Sequence, residues 1–304
     1  MAENTTQELP QKTFYYHADA SPIGGTINRP FSGFVPSHTS LSLPLVGGFV
    51  EKQRKGRAWK NIVTYSNESA HVSGSRKDEA EDGPWTTQVS ATIEHLNILE
   101  VVTADKVVAQ LSVAHPFDGG HPTISVVGSQ FINLRISGQL IEPVIKYDLF
   151  ADHDSSSDPD PKKRYPKQAW PKQQQFLDKV EKQLTDAKDT YTKKYKGAPL
   201  PAWIKNHFHP VEPGQELNGR DYIICSLIDQ LPEMPPGFPG VTCGHGIYVP
   251  GFGKVYFGEV IVHQGTFTVS MVRAQLGSPV GGAISAAVVR SNGSDGGPGK
   301  IGGG

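Results

Sequence analysis

The sequence predicts a mainly β protein, an antiparallel β-sandwich or β-roll with one long amphipathic helix inserted near the middle of the chain. Apolar and polar residues alternate in several stretches, which is the pattern of strands with one buried face. The 304 residues include 33 glycines and 24 prolines, and 19% are charged, a composition typical of a β protein with many turns. One stretch changes to a period of about 3.6 residues, which predicts the helix.

The clearest strand pattern lies within residues 85–150, where three alternating stretches predict the strands of one sheet. The first spans residues 86–95, the second 106–113 and the third 131–136. Their predicted apolar faces are Val89, Ala91, Ile93 and His95; Val107, Ala109, Leu111 and Val113; and Ile132, Leu134 and Ile136. A further strand is predicted over residues 140–147, interrupted by Pro143.

Shorter strand signals lie on either side of this region. Residues 40–45 alternate around Pro44 and predict an edge strand, because a proline cannot donate a hydrogen bond to a neighbouring strand. After the helix, apolar or alternating runs predict strands at 222–228, 246–249, 254–262, 266–275 and 284–290. A hairpin turn is predicted at residues 263–265.

The helix is predicted over residues 172–196, a length of about 23 to 25 residues or roughly 35 Å. Gly197 and Pro199 end it. Its apolar stripe consists of Leu177, Val180, Leu184, Ala187 and Tyr191. We expect this stripe to lie on the β core.

The chain therefore divides into five parts. A flexible N-terminus (1–13) precedes a β region (14–150), and a linker with the inserted helix follows (151–200). A second β region (201–290) packs with the first, and a disordered glycine-rich tail (291–304) ends the sequence.

A faint internal repeat supports a β-solenoid as the alternative architecture. Residues 102–107 and 284–289 share the order apolar, Ser or Thr, Ala, two further residues, Val. Residues 108–112 also resemble 273–277. Because any two strand ends can look alike, chance similarity is the competing interpretation.

One run of residues carries a family resemblance. It consists of residues 96–99, 102–104 and 107–109, followed by Gly128-Ser129, Phe131, Asn133-Leu134 and Gly138, about a fifth of the chain. The run resembles uncharacterised bacterial β-rich proteins, and it is similar to exported proteins of the "choice-of-anchor" type. The resemblance implies a β-rich architecture and brings no catalytic residues with it. Those exported proteins carry signal peptides, whereas residues 1–11 are polar.

Composition limits the classes of partner. The net charge is −1 and the isoelectric point is near 6.8, so we expect no nucleic-acid partner. No run of about 18 apolar residues exists, so we expect no membrane span. The default compartment is the cytoplasm, with non-classical export as the alternative. Homo-oligomerisation through the helix stripe or a strand edge is left open.

The first candidate metal site is His207, His209 and Glu212. Residues i and i+2 of a strand point the same way, so His-x-His can offer two imidazoles to one divalent metal ion, with a carboxylate as third ligand. His245 and His263 could complete the cluster in the fold. The order is similar to that of cupin sites, although Glu212 comes one residue too early and two prolines interrupt the strand. A polar loop with hydrogen-bonded histidines is the competing interpretation.

The second candidate is a site for a hard cation such as calcium. Residues 152–160 contain four carboxylates within nine residues, among them Asp152, Asp154 and Asp158. The glycine and the terminal glutamate of an EF-hand loop are absent from this segment. A linker kept soluble by its charge is the competing interpretation.

The two cysteines, Cys225 and Cys243, allow either one disulfide or two reduced, buried thiols. Cys243 also lies two residues before His245, which places a thiol close in sequence to an imidazole that could act as its base. Catalytic pairs are assembled across a fold, however, so this adjacency favours a turn with a buried cysteine.

No catalytic motif and no cofactor fingerprint is complete. The sequence therefore favours a non-catalytic structural or binding protein that uses loops on a β scaffold and needs no cofactor. The alternative is a metal-dependent, cupin-like enzyme with its site at His207 and His209.

Overall fold

The computed structural model describes residues 14–76, 84–116, 122–150, 174–205, 207–208, 222–263 and 266–292. In these residues, antiparallel strands form two sheets that pack around one main apolar core. The prediction of an antiparallel β-sandwich is confirmed. The β-solenoid alternative is wrong, because the strands pair antiparallel within two sheets instead of stacking as successive coils. The predicted flexible N-terminus and nearly all of the glycine-rich tail lie outside the described residues.

The strands are numbered in chain order. They are β1 Ala18–Arg29, β2 Gly33–Val35, β3 Leu41–Ser42, β4 Gly48–Lys55, β5 Ala58–Trp59, β6 Val63–Thr64, β7 Asn67–Arg76, β8 Trp85–Ile98, β9 Val102–His115, β10 Thr123–Ser125, β11 Gln130–Ile132, β12 Arg135–Ile136, β13 Gln139–Leu140, β14 Tyr222–Ser226, β15 Val241–Cys243, β16 Gly246–Val249, β17 Gly253–His263, β18 Thr266–Leu276 and β19 Gly281–Asn292. The helices are α1 Gln174–Lys194 and α2 Ala202–Lys205.

Sheet A has the strand order β15-β16-β17-β18-β19-β1-β2, with β14 paired to β17 and β3 paired to β1. Sheet B has the order β13-β12-β9-β8-β6-β5, with β7 between β8 and β4, and with β10 and β11 paired to β9. Strands β1 and β19 of sheet A contact β8 of sheet B. Because β1 to β3 join a sheet that is otherwise built after the helix, the two predicted β regions share one sheet and one core.

Most predicted strands are confirmed. The first two alternating stretches are β8 and β9, which pair from end to end apart from a break at His95. The placement of His95 on the apolar face is wrong, because its φ of 51° moves the alternation by one residue and Leu96 is buried instead. The strands predicted after the helix are β14, β16, β17, β18 and β19, and the predicted edge strand is β3. Several strands, β1, β10 and β15 among them, were not predicted. Residues 264–265 of the predicted hairpin turn lie outside the described residues.

The prediction of one regular strand from the third alternating stretch is wrong. Asn133 has a φ of 50° and separates two short strands, β11 and β12. Ile132 is therefore exposed, whereas Phe131 packs on Phe257 with ring centroids 6.0 Å apart. The strand predicted at 140–147 is wrong: of these residues only Leu140, at the end of β13, lies in a strand.

In several long strands, the alternate residues that point into the core change part-way along the strand. In β17, Val255 and Phe257 belong to the core before Gly258, and Val260 and Val262 belong to it afterwards. Gly258 has a φ of 61°, a left-handed conformation that glycine adopts without steric cost. One residue in this conformation moves the alternation by one residue. Odd-numbered residues therefore point into the core before Gly258, and even-numbered residues do so after it.

The same change of face accounts for the faint repeat. In both halves of the repeat the first, third and sixth residues are buried: Val102, Ala104, Val107, Ile284, Ala286 and Val289. Ala287 in β19 and His95 in β8, the partner strand of β9, both have a φ of 51°. In both halves of the repeat the buried positions therefore change their spacing from two residues to three beside a residue with positive φ.

Helix α1 is confirmed with a length of 21 residues, but its buried face is rotated from the predicted stripe. The buried side chains are Phe176, Val180, Gln183 and Ala187, whereas Leu177, Leu184 and Tyr191 are only partly buried. Gln183 is buried because its amide donates to the Ser226 carbonyl at 2.7 Å and accepts from the Ser226 N–H at 3.1 Å. Within the described residues, neither helix is long and apolar enough to cross a membrane.

A second apolar cluster lies on the outer face of sheet A, the face turned away from sheet B. It contains Ala187 of α1, Ile204 of α2, Phe208, Cys243 and Tyr256. Tyr256 alternates with the core residues of β17, so its ring points outwards to meet both helices. The helices are thereby anchored beside the polar side chains of β17 and β18.

Candidate functional site

A cleft of about 830 Å³ lies on the outer face of sheet A, along β17 and β18. Tyr256 and Glu259 line it from β17, Arg273 from β18, and His207 from the chain just after α2. Tyr256 and Glu259 are three positions apart, and a regular strand would turn them to opposite faces. The change of face at Gly258 places both side chains in the cleft.

Glu259 is the centre of a buried ion-pair network, defined here as Glu259, Arg273 and His207. The Glu259 side chain is 1% exposed. Arg273 donates from Nε to Oε2 at 2.6 Å and from Nη2 to Oε1 at 2.8 Å. Nδ1 of His207 lies 2.9 Å from the same Oε1. The two-point contact fixes the guanidinium plane, and the third contact fixes the imidazole.

The same nitrogen of His207 has two possible hydrogen-bond partners. Its Nδ1 lies 2.9 Å from Arg273 Nη2 as well as from the carboxylate. The Glu259 oxygen can only accept a hydrogen bond, and Arg273 can only donate one. A protonated Nδ1 therefore donates to Glu259, whereas an unprotonated Nδ1 accepts from Arg273, and either tautomer keeps His207 in the network. Nε2 of His207 makes no hydrogen bond to any described residue.

Glu259 is ionised at ordinary pH. Burial acts to raise the pKa of its carboxyl, but the hydrogen bonds from His207 and Arg273 and the Arg273 charge outweigh burial and lower the pKa to about 2. Both carboxylate oxygens are engaged by these partners. Glu259 is therefore a fixed internal counter-ion for Arg273.

Tyr256 supports the network from the side. The His207 ring stacks on it with centroids 3.8 Å apart, and Cζ of Arg273 lies 4.9 Å from its centroid. The Tyr256 hydroxyl donates to the Trp203 carbonyl at 2.9 Å. Burial raises the pKa of Tyr256, so the phenol stays protonated and ties α2 to the sheet.

Two buried side chains next to the network have no hydrogen-bond partner in the described part of the chain. His245 is fully buried beside the Phe208 ring, at 5.2 Å between centroids, and neither of its ring nitrogens is bonded. Burial lowers the pKa of His245 to about 4, so its ring is neutral. The hydroxyl of Ser270, directly opposite Glu259 in the β17–β18 ladder, is also unbonded. Such groups are rare in folded proteins and concentrate at functional or strained positions.

The structure describes His207 of the predicted metal site, together with His245 and His263. His207 is bonded to Glu259, His263 lines the cleft, and His245 is buried. His209 and Glu212 lie outside the described residues. Within the ranges that the structure describes, no group of three or more His, Cys, Asp or Glu side chains is placed to hold a metal ion.

The remaining candidates do not contribute to the cleft. Asp152, Asp154 and Asp158 lie outside the described residues. Cys225 and Cys243 are free, buried thiols, which is the reduced alternative of the two that the sequence allowed. Burial raises the pKa of both, that of Cys243 to about 12, so neither is a thiolate nucleophile at neutral pH.

Comparison with known proteins places the chain in a family. A family model described as "Domain of unknown function (DUF8256)" matches residues 14–263. The chain belongs to this family. The DUF8256 match includes His207, Tyr256 and Glu259 among the cleft residues, and it ends before β18, which carries Arg273. No curated protein and no solved structure matches the sequence.

The sequence alone identified His207 but missed its partners. Glu259 is the one acidic residue of β17 and Arg273 is the one charged residue of β18, two strands joined by a predicted hairpin. A charged residue in a buried strand needs a partner, and the opposite strand of the hairpin is the nearest place to find one. That signal could have paired Glu259 with Arg273.

Proposed function

We propose that this protein is a non-catalytic binding protein and that the cleft on the outer face of sheet A is its ligand site. The observation that supports this proposal is the buried network of Glu259, Arg273 and His207 beneath the cleft. An ion pair with a buried carboxylate, here Glu259 with the half-buried Arg273 and the buried His207, stabilises a fold poorly compared with apolar packing. Their presence at the base of a cleft is better explained by a role in recognition.

The size and lining of the cleft agree with a small-molecule site. Its volume of about 830 Å³ falls within the range of roughly 300–1,000 Å³ typical of such sites. Its lining includes apolar side chains, among them Ile224 and Ile261, together with a larger number of polar and charged side chains. Polar groups that are fixed in place, such as Arg273 and His207, can orient a ligand in such a site.

The proposed site lies on strands, whereas the sequence favoured loops at the ends of the sheets. Strands β17 and β18 hold the binding side chains in a hydrogen-bonded ladder, so little conformational freedom is lost when a ligand binds. The metal-dependent, cupin-like alternative has no ligand set among the described residues to support it.

A cleft-filling variant tests the proposal. We would screen a library of neutral and charged small molecules by thermal shift against the wild type, Thr268→Tyr and Thr92→Tyr. Thr268 lines the cleft, and Thr92 is a half-buried residue on the outer face of sheet B. Compounds that stabilise the wild type and Thr92→Tyr should fail to stabilise Thr268→Tyr. Binders that act equally on all three proteins, or a library without binders, would overturn the proposal.

A further inference from the structure

The charge of the cleft lining is strongly asymmetric. Three permanently cationic side chains line it, Lys254, Arg273 and Arg290, and one carboxylate, Glu259. Because Glu259 is already neutralised by Arg273, the other two cations are uncompensated within the described lining. For a chain with a net charge of −1, this is a local concentration of positive charge, which favours an anionic ligand.

Arg273 has N–H donors that are not used by Glu259 or His207. Its Nε and Nη2 are bonded to Glu259, while Nη1 bonds to no described residue, and the side chain is 25% exposed. The carboxylate holds the guanidinium in one orientation, so Nη1 is presented without the loss of freedom that a mobile arginine would incur. A fixed guanidinium edge is a good donor to a carboxylate or phosphate oxygen.

Lys254 lies near this edge. Arg273 is opposite Tyr256 in the ladder, and Lys254 is two residues before Tyr256 on the same face of β17. Two residues of a strand correspond to about 7 Å, a distance that one acid group with its hydrogen bonds can bridge. Arg290, by contrast, is paired with Thr268, five residues of β18 from Arg273 or roughly 16 Å.

In the other direction along β17 the lining combines a pair of apolar side chains with Thr268 and Arg290, which lie across the sheet from Ile261. Beyond Glu259 the next residue on the outer face is Ile261, which is paired with Ile224 of β14. A ligand whose acid group lies between Lys254 and Arg273 would therefore place the rest of its body on these two isoleucines. This arrangement fits an acid group attached to an apolar framework better than a free inorganic ion.

We propose that the cleft binds an organic anion, with its carboxylate or phosphate group between Lys254 and Arg273 and its apolar body on Ile224 and Ile261. The inference rests on the proposed function, because it specifies the ligand of the same cleft. Carboxylate and phosphate share the chemistry that these two cations recognise, and the experiment separates them.

The test uses three matched probes, 2-naphthoate, 2-naphthyl phosphate and the neutral 2-naphthamide, in calorimetric titrations at low and high salt. At least one anion should bind about tenfold more tightly than the amide and lose affinity at high salt, because a charge-assisted hydrogen bond is worth about a tenfold change or more. The tighter of the two anions identifies the acid group.

Charge-removing variants test where the acid group lies. Lys254→Gln should weaken anion binding about tenfold, whereas Arg290→Gln and the distant surface control Lys52→Gln should change it less than about threefold. These variants leave the buried network intact, so loss of folding does not confuse the result. Equal losses in Lys254→Gln and Arg290→Gln would overturn the placement between Lys254 and Arg273.

The two proposals can fail separately. If the amide binds the cleft as tightly as the anions do, the inference of an anionic ligand is wrong while the proposed binding function stands. If no probe binds, the inference is tested with the library compounds that bind the wild type but fail to bind Thr268→Tyr. Anionic compounds in this group support the inference, and neutral or cationic compounds overturn it. If no such compound exists, both proposals fail.

Discussion

The guanidinium of Arg273 and the carboxylate of Glu259 meet at two points, Nε to Oε2 at 2.6 Å and Nη2 to Oε1 at 2.8 Å. The Glu259 side chain is 1% exposed. A charge buried to this extent is tolerated only while its partner is present. The pair therefore affects the stability of sheet A as well as the shape of the cleft.

Arg273→Ala should lower the free energy of unfolding by about 3–5 kcal/mol, because it leaves the Glu259 charge buried and without its two-point partner. The double variant Glu259→Gln/Arg273→Gln should lose much less, since no charge is left behind. Urea denaturation of the three proteins measures both changes. A loss below about 1 kcal/mol in Arg273→Ala would contradict the importance of this ion pair.

Acid should remove the stabilisation that Glu259 provides. The pKa of its carboxyl is lowered from 4.5 to about 2 in the folded protein, so the contribution is present above the unfolded-state value and is lost as the pH falls towards the folded-state value. Stability should therefore fall between about pH 4.5 and pH 2 in the wild type, with a shallower slope in Glu259→Gln. Unfolding free energies at several pH values give both slopes, and identical slopes would rule out a strongly lowered pKa.

Glu68→Gln should stabilise the protein at neutral pH by about 1 kcal/mol, because burial penalises the ionised carboxylate more than its neighbours compensate it. Glu68 is 1% exposed, and the effects of His38, Thr39 and Arg54, which lower its pKa, are smaller than the effect of burial. Burial raises its pKa, so its ionisation destabilises the fold increasingly as the pH rises through the folded-state value. The stability gained by Glu68→Gln should therefore increase as the pH rises.

Glu94→Gln is the matched control for Glu68. Its carboxylate accepts from Asn67 at 3.1 Å and lies 3.3 Å from Lys106 Nζ, and the Asn67 hydrogen bond is the main cause of its lowered pKa. Replacement of Glu94 should give no gain at any pH. If Glu68→Gln behaved like Glu94→Gln in thermal unfolding between pH 5 and pH 9, Glu68 would have to be compensated in the fold.

Two substitutions at bends of sheet A, Gly258→Ala and Ala287→Gly, should change the free energy of unfolding by different amounts. In Gly258→Ala the new Cβ would lie 3.2 Å from Leu227 Cβ at a left-handed φ of 61°, so we expect a loss of about 1–2 kcal/mol. In Ala287→Gly the relief of a similar left-handed conformation, φ 51°, offsets the lost buried methyl, and stability should change little. Urea denaturation compares the two, and equal losses would contradict the importance of backbone conformation at Gly258.

The strands with regular alternation could be predicted from the sequence, whereas the bends and the helix face could not. Alternation of single residues locates β8 and β9, but a residue such as Ala287 carries no sign that it will adopt a left-handed conformation. The burial of Gln183 depends on the backbone of Ser226, 43 residues away in the chain. A pattern of apolar residues cannot include a glutamine whose partner is so distant.

The site was predictable only in part for the same reason. His-x-His was interpreted as a strand motif, yet Nδ1 of His207 is taken by Glu259, 52 residues later in the chain. Glu259 and Arg273 are close because the hairpin register sets Tyr256 opposite Arg273, and because Gly258 changes the face of β17. The register could be predicted from the hairpin, but the change of face required the structure.

The most direct test is a ¹H–¹⁵N correlation titration of the deuterated wild type and of Thr268→Tyr with 2-naphthoate and 2-naphthyl phosphate, or with the library's cleft binder if neither binds. We predict saturable shifts of the backbone signals of β17 and β18 and of the Arg273 Nε–H in the wild type, and their loss in Thr268→Tyr. Saturable shifts confined to other parts of the chain, or unchanged in Thr268→Tyr, would contradict the assignment of the cleft as the binding site.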